Sequence, residues 1–260
     1  MPLSNSKSTS QFSDFIYVQQ THIGNVRKNN EDACAIFETP NGLLCVVCDG
    51  MGGHLGGEKA SKLAIEAIGN YMTSKRFDLA KLNDALDQAF ASAHAAIAYE
   101  AEKNPLLKGM GTTCVAILFH QDATFCAHVG DSRLYIFRNN ELIRLTKDHS
   151  FVQGLINEGV ITQAESLYHP KRNLIERALG SDEAQPDIAN LGRVLQNLRV
   201  GDLFLLCSDG LTNELEDVEI KNYLENETFT LEEKVERIME KALQAGGKDN
   251  ITIQLIEKVE

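Results

Sequence analysis

The sequence predicts an α+β domain in which antiparallel sheets are covered on their outer sides by helices. Strand-like apolar runs collect toward the two ends of the 260-residue chain. Amphipathic helices come in blocks instead of alternating one for one with strands, so a regular parallel βαβ repeat does not fit. The step Arg138-Asn139-Asn140-Glu141 between two apolar runs reads as a tight hairpin turn.

Residues 1–14 (MPLSNSKSTSQFSD) are polar and Ser-rich and read as a flexible tail, with no apolar stretch of the kind a secretory signal needs. Residues 15–260 are within reach of a single hydrophobic core and read as one domain. Strands are expected over Phe15–Ile23, Ala33–Glu38 and Leu43–Cys48. Two helices follow. One carries Ala60, Leu63, Ala64, Ala67, Ile68, Tyr71 and Met72 at helical spacing; the other carries Leu82, Ala85, Leu86, Ala89, Phe90, Ala93 and Ile97 after Asp78 as N-cap. Strands return from Thr112, Ala123 and Arg133. A polar segment over about residues 146–185, with short helical pieces, reads as a surface insertion. The strand Leu203–Cys207 is next. A helix opened by a capping box of Thr230 and Glu233 precedes the closing strand ITIQLIEKV.

A net charge of −12 argues against a nucleic-acid or anionic-membrane surface. No apolar run approaches the roughly 18 residues that span a bilayer. Little chain follows the last strand, so no C-terminal anchor or sensor domain is expected, and the expected location is the cytoplasm. The six cysteines lie mostly in apolar runs and read as small buried hydrophobes. Cys45 and Cys48 form a C-x-x-C, but on a strand they point to opposite faces and cannot easily clamp one ion.

The acids are more telling than their number. Asp49 (VVCDGMGG) and Asp209 (LLCSDGLT) each end an apolar strand, with a glycine next to permit a sharp turn. Asp131 (HVGDSR) also follows an apolar run, Asp249 (GGKDNITI) precedes the last strand, and Glu31 and Asp32 (NNEDACAI) enter the second. Any one could be a turn or a solvated edge charge. Together at strand ends they can meet in space, and gathered carboxylates need counter-charge to stay ionised. Oxygen-only ligands favour Mg²⁺ or Mn²⁺ over zinc. Arg27, a few residues before the first pair, suits bidentate holding of a phosphoryl group.

In chain order, GNVRKNNED, CDGMGGHLGGEKAS, GMGTTCVAI, HVGDSRLY, LTKDHS, HPKRNLIERALG, CSDGLTNEL and GGKDNITIQ resemble the bacterial branch of the protein phosphatase 2C family, across residues 16–256. The resemblance implies a four-layer α-β-β-α sandwich, two antiparallel sheets flanked by antiparallel helix pairs, with the metal site at one end. It implies that Asp49 bridges two ions, joined on the second by the Gly50 carbonyl, and that Asp209 and Asp249 complete the first. Glu31 and Asp32 would hold metal-bound waters, Asp131 would help hold a third, weaker ion, and Arg27 would hold the substrate phosphate. The 146–185 segment resembles a mobile flap that affects substrate choice. The implied activity is hydrolysis of phosphoserine and phosphothreonine on proteins.

Metal chemistry then gives the mechanism: a water shared by two cations loses a proton near neutral pH and attacks phosphorus in line, without a protein nucleophile or phosphoenzyme. His54 is the candidate general acid for the leaving oxygen, although eukaryotic members place a histidine directly after the Asp-Gly, where this chain has Met51. Expected partners are phosphoproteins and a cognate Ser/Thr kinase, with the chain itself monomeric. The rival readings are a catalytically silent binder of phosphoproteins or kinases and a hydrolase of small phosphate esters; the presence of Asp49, Asp209 and Asp249 counts against the first. GGHLGGEK lacks the Gly-Lys-Ser/Thr ending of a phosphate-cradling loop, and no G-x-S-x-G elbow occurs.

Overall fold

The computed structural model describes residues 6–12, 14–53, 55–121, 123–195 and 197–260. The chain opens with β1 (Ser6–Phe12), β2 (Phe15–His22), β3 (Asp32–Thr39) and β4 (Gly42–Met51), then forms α1 (Gly56–Thr73) and α2 (Leu82–Lys103). Next come β5 (Gly111–Thr112), β6 (Cys114–His120), β7 (Ala123–Val129), β8 (Arg133–Arg138) and β9 (Glu141–Arg144). Short elements follow: α3 (Phe151–Asn157), α4 (Gln163–Ser166), β10 (Asp187–Asn190) and α5 (Gly192–Leu195). The chain ends with β11 (Leu203–Cys207), α6 (Asp209–Thr212), α7 (Asp217–Leu224), α8 (Leu231–Ala245) and β12 (Ile251–Lys258).

The strands form two antiparallel sheets, ordered β1-β2-β12-β11-β8-β9 and β10-β7-β6-β4-β3, with β5 beside the end of β4. Strand β4 shows how the layers are built. Leu43, Cys45 and Val47 enter the core between the sheets, while Leu44, Val46 and Cys48 enter the core under α1 and α2. A strand buried on both faces must be apolar throughout, which is why this run does not alternate. On the far side, α7 and α8 cover the other sheet over Leu205, Cys207, Ile253 and Leu255. The result is the four-layer α-β-β-α sandwich.

Helix α2 buries all seven positions of its predicted stripe, and α8 opens with both bonds of the Thr230–Glu233 capping box. The β8–β9 turn has Asn139 and Asn140 at φ 53° and 60° between paired Arg138 and Glu141. This is the doubly left-handed turn that asparagine tolerates and that matches strand twist. Cys45 and Cys48 lie in different cores, and all six cysteines are free. Burial pushes the Cys34, Cys126 and Cys207 thiols up to about 12, so they are not nucleophiles at neutral pH.

Three expectations are corrected, and one helix was not expected. Ser6–Phe12, expected within a flexible tail, pairs along its length with β2 as an edge strand; backbone bonds form such a ladder even where the sequence has few apolar residues. Residues 1–5 and 13 of that tail lie outside the described residues. Asp78 caps a 3₁₀ turn, Leu79–Lys81, that leads into α2, and its side chain makes no capping bond. Helix α7 went unread because a short, charge-rich DVEIKNYL has only Ile220 and Leu224 fully buried. The 146–185 segment is more than a surface insertion. Its Leu179 is fully buried in the helix-side core and bridges to Thr112, and Ser150 bridges to Ile175.

Candidate metal centre

Strand register gathers the acids at one end of the sandwich. In one sheet His22 faces Ile251, while Cys207 faces both Ile253 and Arg133. In the other, Asp32 faces Asp49 and Cys114 faces Val129. Asp32 and Asp49 are therefore cross-strand neighbours, and Asp131, Asp209 and Asp249 leave their strands at the same end.

Glycine acts here differently from the turn role expected of it. Strand β4 continues through Asp49 and Gly50 to Met51, pairing with β5, and Asp209-Gly210 opens α6. Neither glycine makes the sharp turn predicted after its aspartate. Both are needed for close approach: a Cβ on Gly50 would stand 2.1 Å from the Gly57 carbonyl oxygen, and one on Gly210 would stand 1.9 Å from that of Asn250. Two strand ends and two helix starts crowd together so tightly that no side chain fits between them.

A shell of hydroxyls and amides orients the acids. Asp32 Oδ2 accepts hydrogen bonds from Ser208 Oγ (2.8 Å) and Thr252 Oγ1 (2.6 Å), tying one sheet to the other. Thr113 Oγ1 accepts the Asp49 amide (3.1 Å) and lies 2.7 Å from Ser132 Oγ; its own amide donates to the Asp49 carbonyl (2.9 Å). Asn250 receives the Glu31 amide on its oxygen (2.8 Å), and its amide group donates to the carbonyls of Ile23 and Asn29 (both 2.9 Å). Ser61 Oγ donates to the Glu31 carbonyl (2.6 Å). Sequence reasoning missed Thr113, Ser132, Ser208, Asn250 and Thr252 as site residues. For Ser132, Ser208 and Asn250 the available signal was their position beside an acid; for Thr113 and Thr252 there was none.

The electrostatics are those of an overcrowded anion site. Burial raises the Asp32 carboxyl to about 7, against the pull of its two hydroxyl partners and with help from Asp209 and Asp249. Burial also pushes Asp49, Asp131 and Asp209 up, and their mutual repulsion adds to it. Asp49 and Asp209 are within hydrogen-bond reach of each other, with Asp49 the group more strongly driven to hold the proton. Arg27 Nη2 lies 2.5 Å from Asp249 Oδ2, so the guanidinium serves as a local counter-charge. Two buried carboxylate oxygens, Asp32 Oδ1 and Asp131 Oδ1, have no hydrogen-bond partner. Buried acids that repel one another and leave oxygens unpartnered fit a hard divalent cation, which satisfies both defects at once.

The structure thus brings together Asp32, Asp49, Asp131, Asp209 and Asp249, with Glu31, Gly50 and Arg27 alongside. Glu31 meets the crowded helix start: a Cβ on Gly57 would stand 2.3 Å from Glu31 Oε2. His54 lies outside the described residues. Among the described residues, no helix is long and apolar enough to cross a membrane.

Residues 18–255 match the family described as protein phosphatase 2C. The chain is 40% identical over 246 residues to the serine/threonine protein phosphatase PstP of Mycobacterium tuberculosis, covering 94% of this chain but only 45% of PstP. It is 35% identical over 242 residues to the serine/threonine phosphatase stp of Listeria monocytogenes, covering 92% of this chain and 94% of that one. Among solved structures, the catalytic domain of PstP in complex with two manganese ions superposes with a TM-score of 0.79 at 38% identity, covering 95% of this chain and 99% of that one.

Proposed function

The chain belongs to the protein phosphatase 2C family, and from that premise we propose that it hydrolyses phosphoserine and phosphothreonine on proteins, using Mn²⁺ or Mg²⁺ held by its strand-end acids. One observation carries the proposal. Asp32 and Asp131 are buried and Asp49 and Asp209 half-buried at one end of the sandwich, where burial and mutual repulsion push their carboxyls up and leave Asp32 Oδ1 and Asp131 Oδ1 unpartnered. A protein that used these residues only for structure would have no reason to keep a cost of several kcal/mol per buried charge.

When bound, the cations supply an ionised water for in-line attack on phosphorus and offset charge on the phosphoryl oxygens. Asp49, the Gly50 carbonyl, Asp209 and Asp249 would hold the two ions. Glu31 and Asp32 are assigned to the hydration of the ions, and Asp131 to a further, weaker one. Burial pushes Asp49 and Asp209 toward the protonated form, so holding a cation as carboxylates would release protons. Asp32, held through Oδ2 by Ser208 and Thr252, keeps its Oδ1 buried and unpartnered. Arg27 is about half exposed. Arg27, paired with Asp249 here, would hold the substrate phosphoryl group with two parallel hydrogen bonds of its guanidinium. His54 is assigned to protonate the leaving serine or threonine oxygen, and the 146–185 segment to substrate choice. A Ser/Thr kinase would supply the substrates, in the cytoplasm.

The test is turnover of an aryl phosphate and of a phosphothreonine peptide by purified protein with Mn²⁺. Activity on the peptide supports the proposal. Activity on the aryl ester alone points to a small-ester hydrolase, and inactivity on both to a silent binder.

A further inference from the structure

Outside the acid cluster, the described residues place His128, His149 and Asp187 close enough to share a metal ion. The hydrogen bonds around them argue against one. His149 Nδ1 accepts the Gly130 amide at 3.2 Å, so in the neutral ring the proton sits on Nε2. That nitrogen lies 3.2 Å from Asp187 Oδ2, off the line of a well-formed hydrogen bond. A cation on Nε2 would need a lone pair there, and the single lone pair of a neutral imidazole is already spent on Gly130. His128 can offer only its Nδ1, so once His149 is excluded just two ligands, His128 and Asp187, remain. The His128 Nε2 is 2.9 Å from the Lys147 carbonyl, which can only accept, so that nitrogen carries the proton. The two rings are stacked, with centroids 4.7 Å apart.

What His149 does instead is grip one residue from two sides. Its ring accepts the Gly130 N–H, and its backbone N–H donates to the Gly130 carbonyl at 2.9 Å. Gly130 sits at φ 98°, and a Cβ there would stand 2.6 Å from Thr113. The preceding residue, Asp148, holds Arg133 through bonds of 3.0, 3.2 and 2.7 Å. Asp148 and His149 therefore grip the two residues that bracket Asp131 and Ser132. Asp131 is the buried acid whose Oδ1 has no partner.

We propose that His149 is a positioning residue for the metal centre: in its Nε2–H tautomer it clamps Gly130 on both polar groups and so aims the Asp131 carboxylate into the site. The first residues of the 146–185 segment are then part of the frame that sets cation affinity. This rests on the proposed function, in that Asp131 is taken to face a cation.

Two measurements test it. The first is the ¹⁵N spectrum of the His149 ring in the wild-type protein without metal and then with zinc. Protonated Nε2 and bare Nδ1 in both states are expected; a bare Nε2, or one shifted by zinc, overturns the proposal in favour of a metal site. The second is Mn²⁺ binding by calorimetry for wild type, Asp131→Asn, His149→Ala and His149→Asn. Asparagine places an oxygen where Nδ1 stands and retains the Gly130 bond. His149→Ala should weaken the same binding phase as Asp131→Asn by about tenfold, the scale of one lost buried hydrogen bond. His149→Asn should stay within about twofold of wild type on the same reasoning. Adding His149→Ala to Asp131→Asn should cost nothing more. If Asp131→Asn weakens binding and neither His149 variant does, or if the asparagine variant is as impaired as the alanine one, the positioning role is wrong and the functional reading stands. If wild type binds no Mn²⁺, both fail.

Discussion

Replacing Asp32 by asparagine should stabilise the metal-free protein at alkaline pH and destabilise the manganese-loaded one. Asp32 is a buried acid whose carboxyl is raised from 3.8 to about 7. For an acid raised on folding, the favourable protonated state is fully populated below about pH 4 and is lost as pH climbs through about 7. At about 1.4 kcal/mol per pH unit, the ionised form at about pH 8 carries a penalty of about 4 kcal/mol, an upper figure because Asp209 and Asp249 share in it. Asparagine removes the charge and retains the geometry. Its oxygen can take the place of Oδ2 and accept the same Ser208 and Thr252 hydroxyls, while its amide nitrogen fills the position of the unpartnered Oδ1. In excess chelator, thermal unfolding of Asp32→Asn should therefore match wild type at or below about pH 4 and exceed it near pH 8, by up to about 16 °C at ~2–4 °C per kcal/mol. With saturating Mn²⁺ the order at pH 8 should reverse, because wild type gains binding energy the variant cannot match. A variant less stable than wild type in chelator at pH 8, or a difference that does not change with pH, would refute the reasoning.

Gly210→Ala should cost about 1–3 kcal/mol of stability by denaturant unfolding, since its Cβ would collide with the Asn250 carbonyl oxygen at 1.9 Å and neither backbone can easily yield. Arg27→Lys should raise KM for a phosphothreonine peptide about tenfold with a smaller change in kcat, because an ammonium cannot form the paired bonds of a guanidinium; steady-state kinetics reads this directly. Asp202→Ala should lose about 3 kcal/mol, because Asp202 is 2% exposed and is gripped by Arg138 Nε and Nη2. Its Mn²⁺ requirement should stay at the wild-type value, which separates general stability from the metal centre.

The sheets and long helices were legible because their signals are local. The apolar run of β4, the helical stripe of α2, the Asn-Asn turn and the Thr230–Glu233 box each follow from neighbours in sequence. The acids were legible as candidates for a related reason: each stands at the end of an apolar run. What could not be read was contact between distant segments. Gly50 and Gly210 are the turn residues that sequence suggests only until Gly57 and Asn250 are brought against them. Asp32 gives no sign in sequence that Ser208 and Thr252 will meet it from the other sheet. Strand β1 has too little apolar content to announce itself, and its pairing depends on where β2 already lies. Residues Asp148 and His149 look like part of a polar insertion until β7 and β8 place Gly130 and Arg133 beside them.

Convergence of the acids on divalent cations is tested most directly by anomalous scattering from crystals soaked in Mn²⁺. Peaks beside Asp49, within reach of Asp209 and Asp249, are predicted, and in Asp209→Asn crystals the peak that Asp209 would share should weaken or vanish. An acid cluster without anomalous density, or manganese bound only at His128, His149 and Asp187, would contradict it.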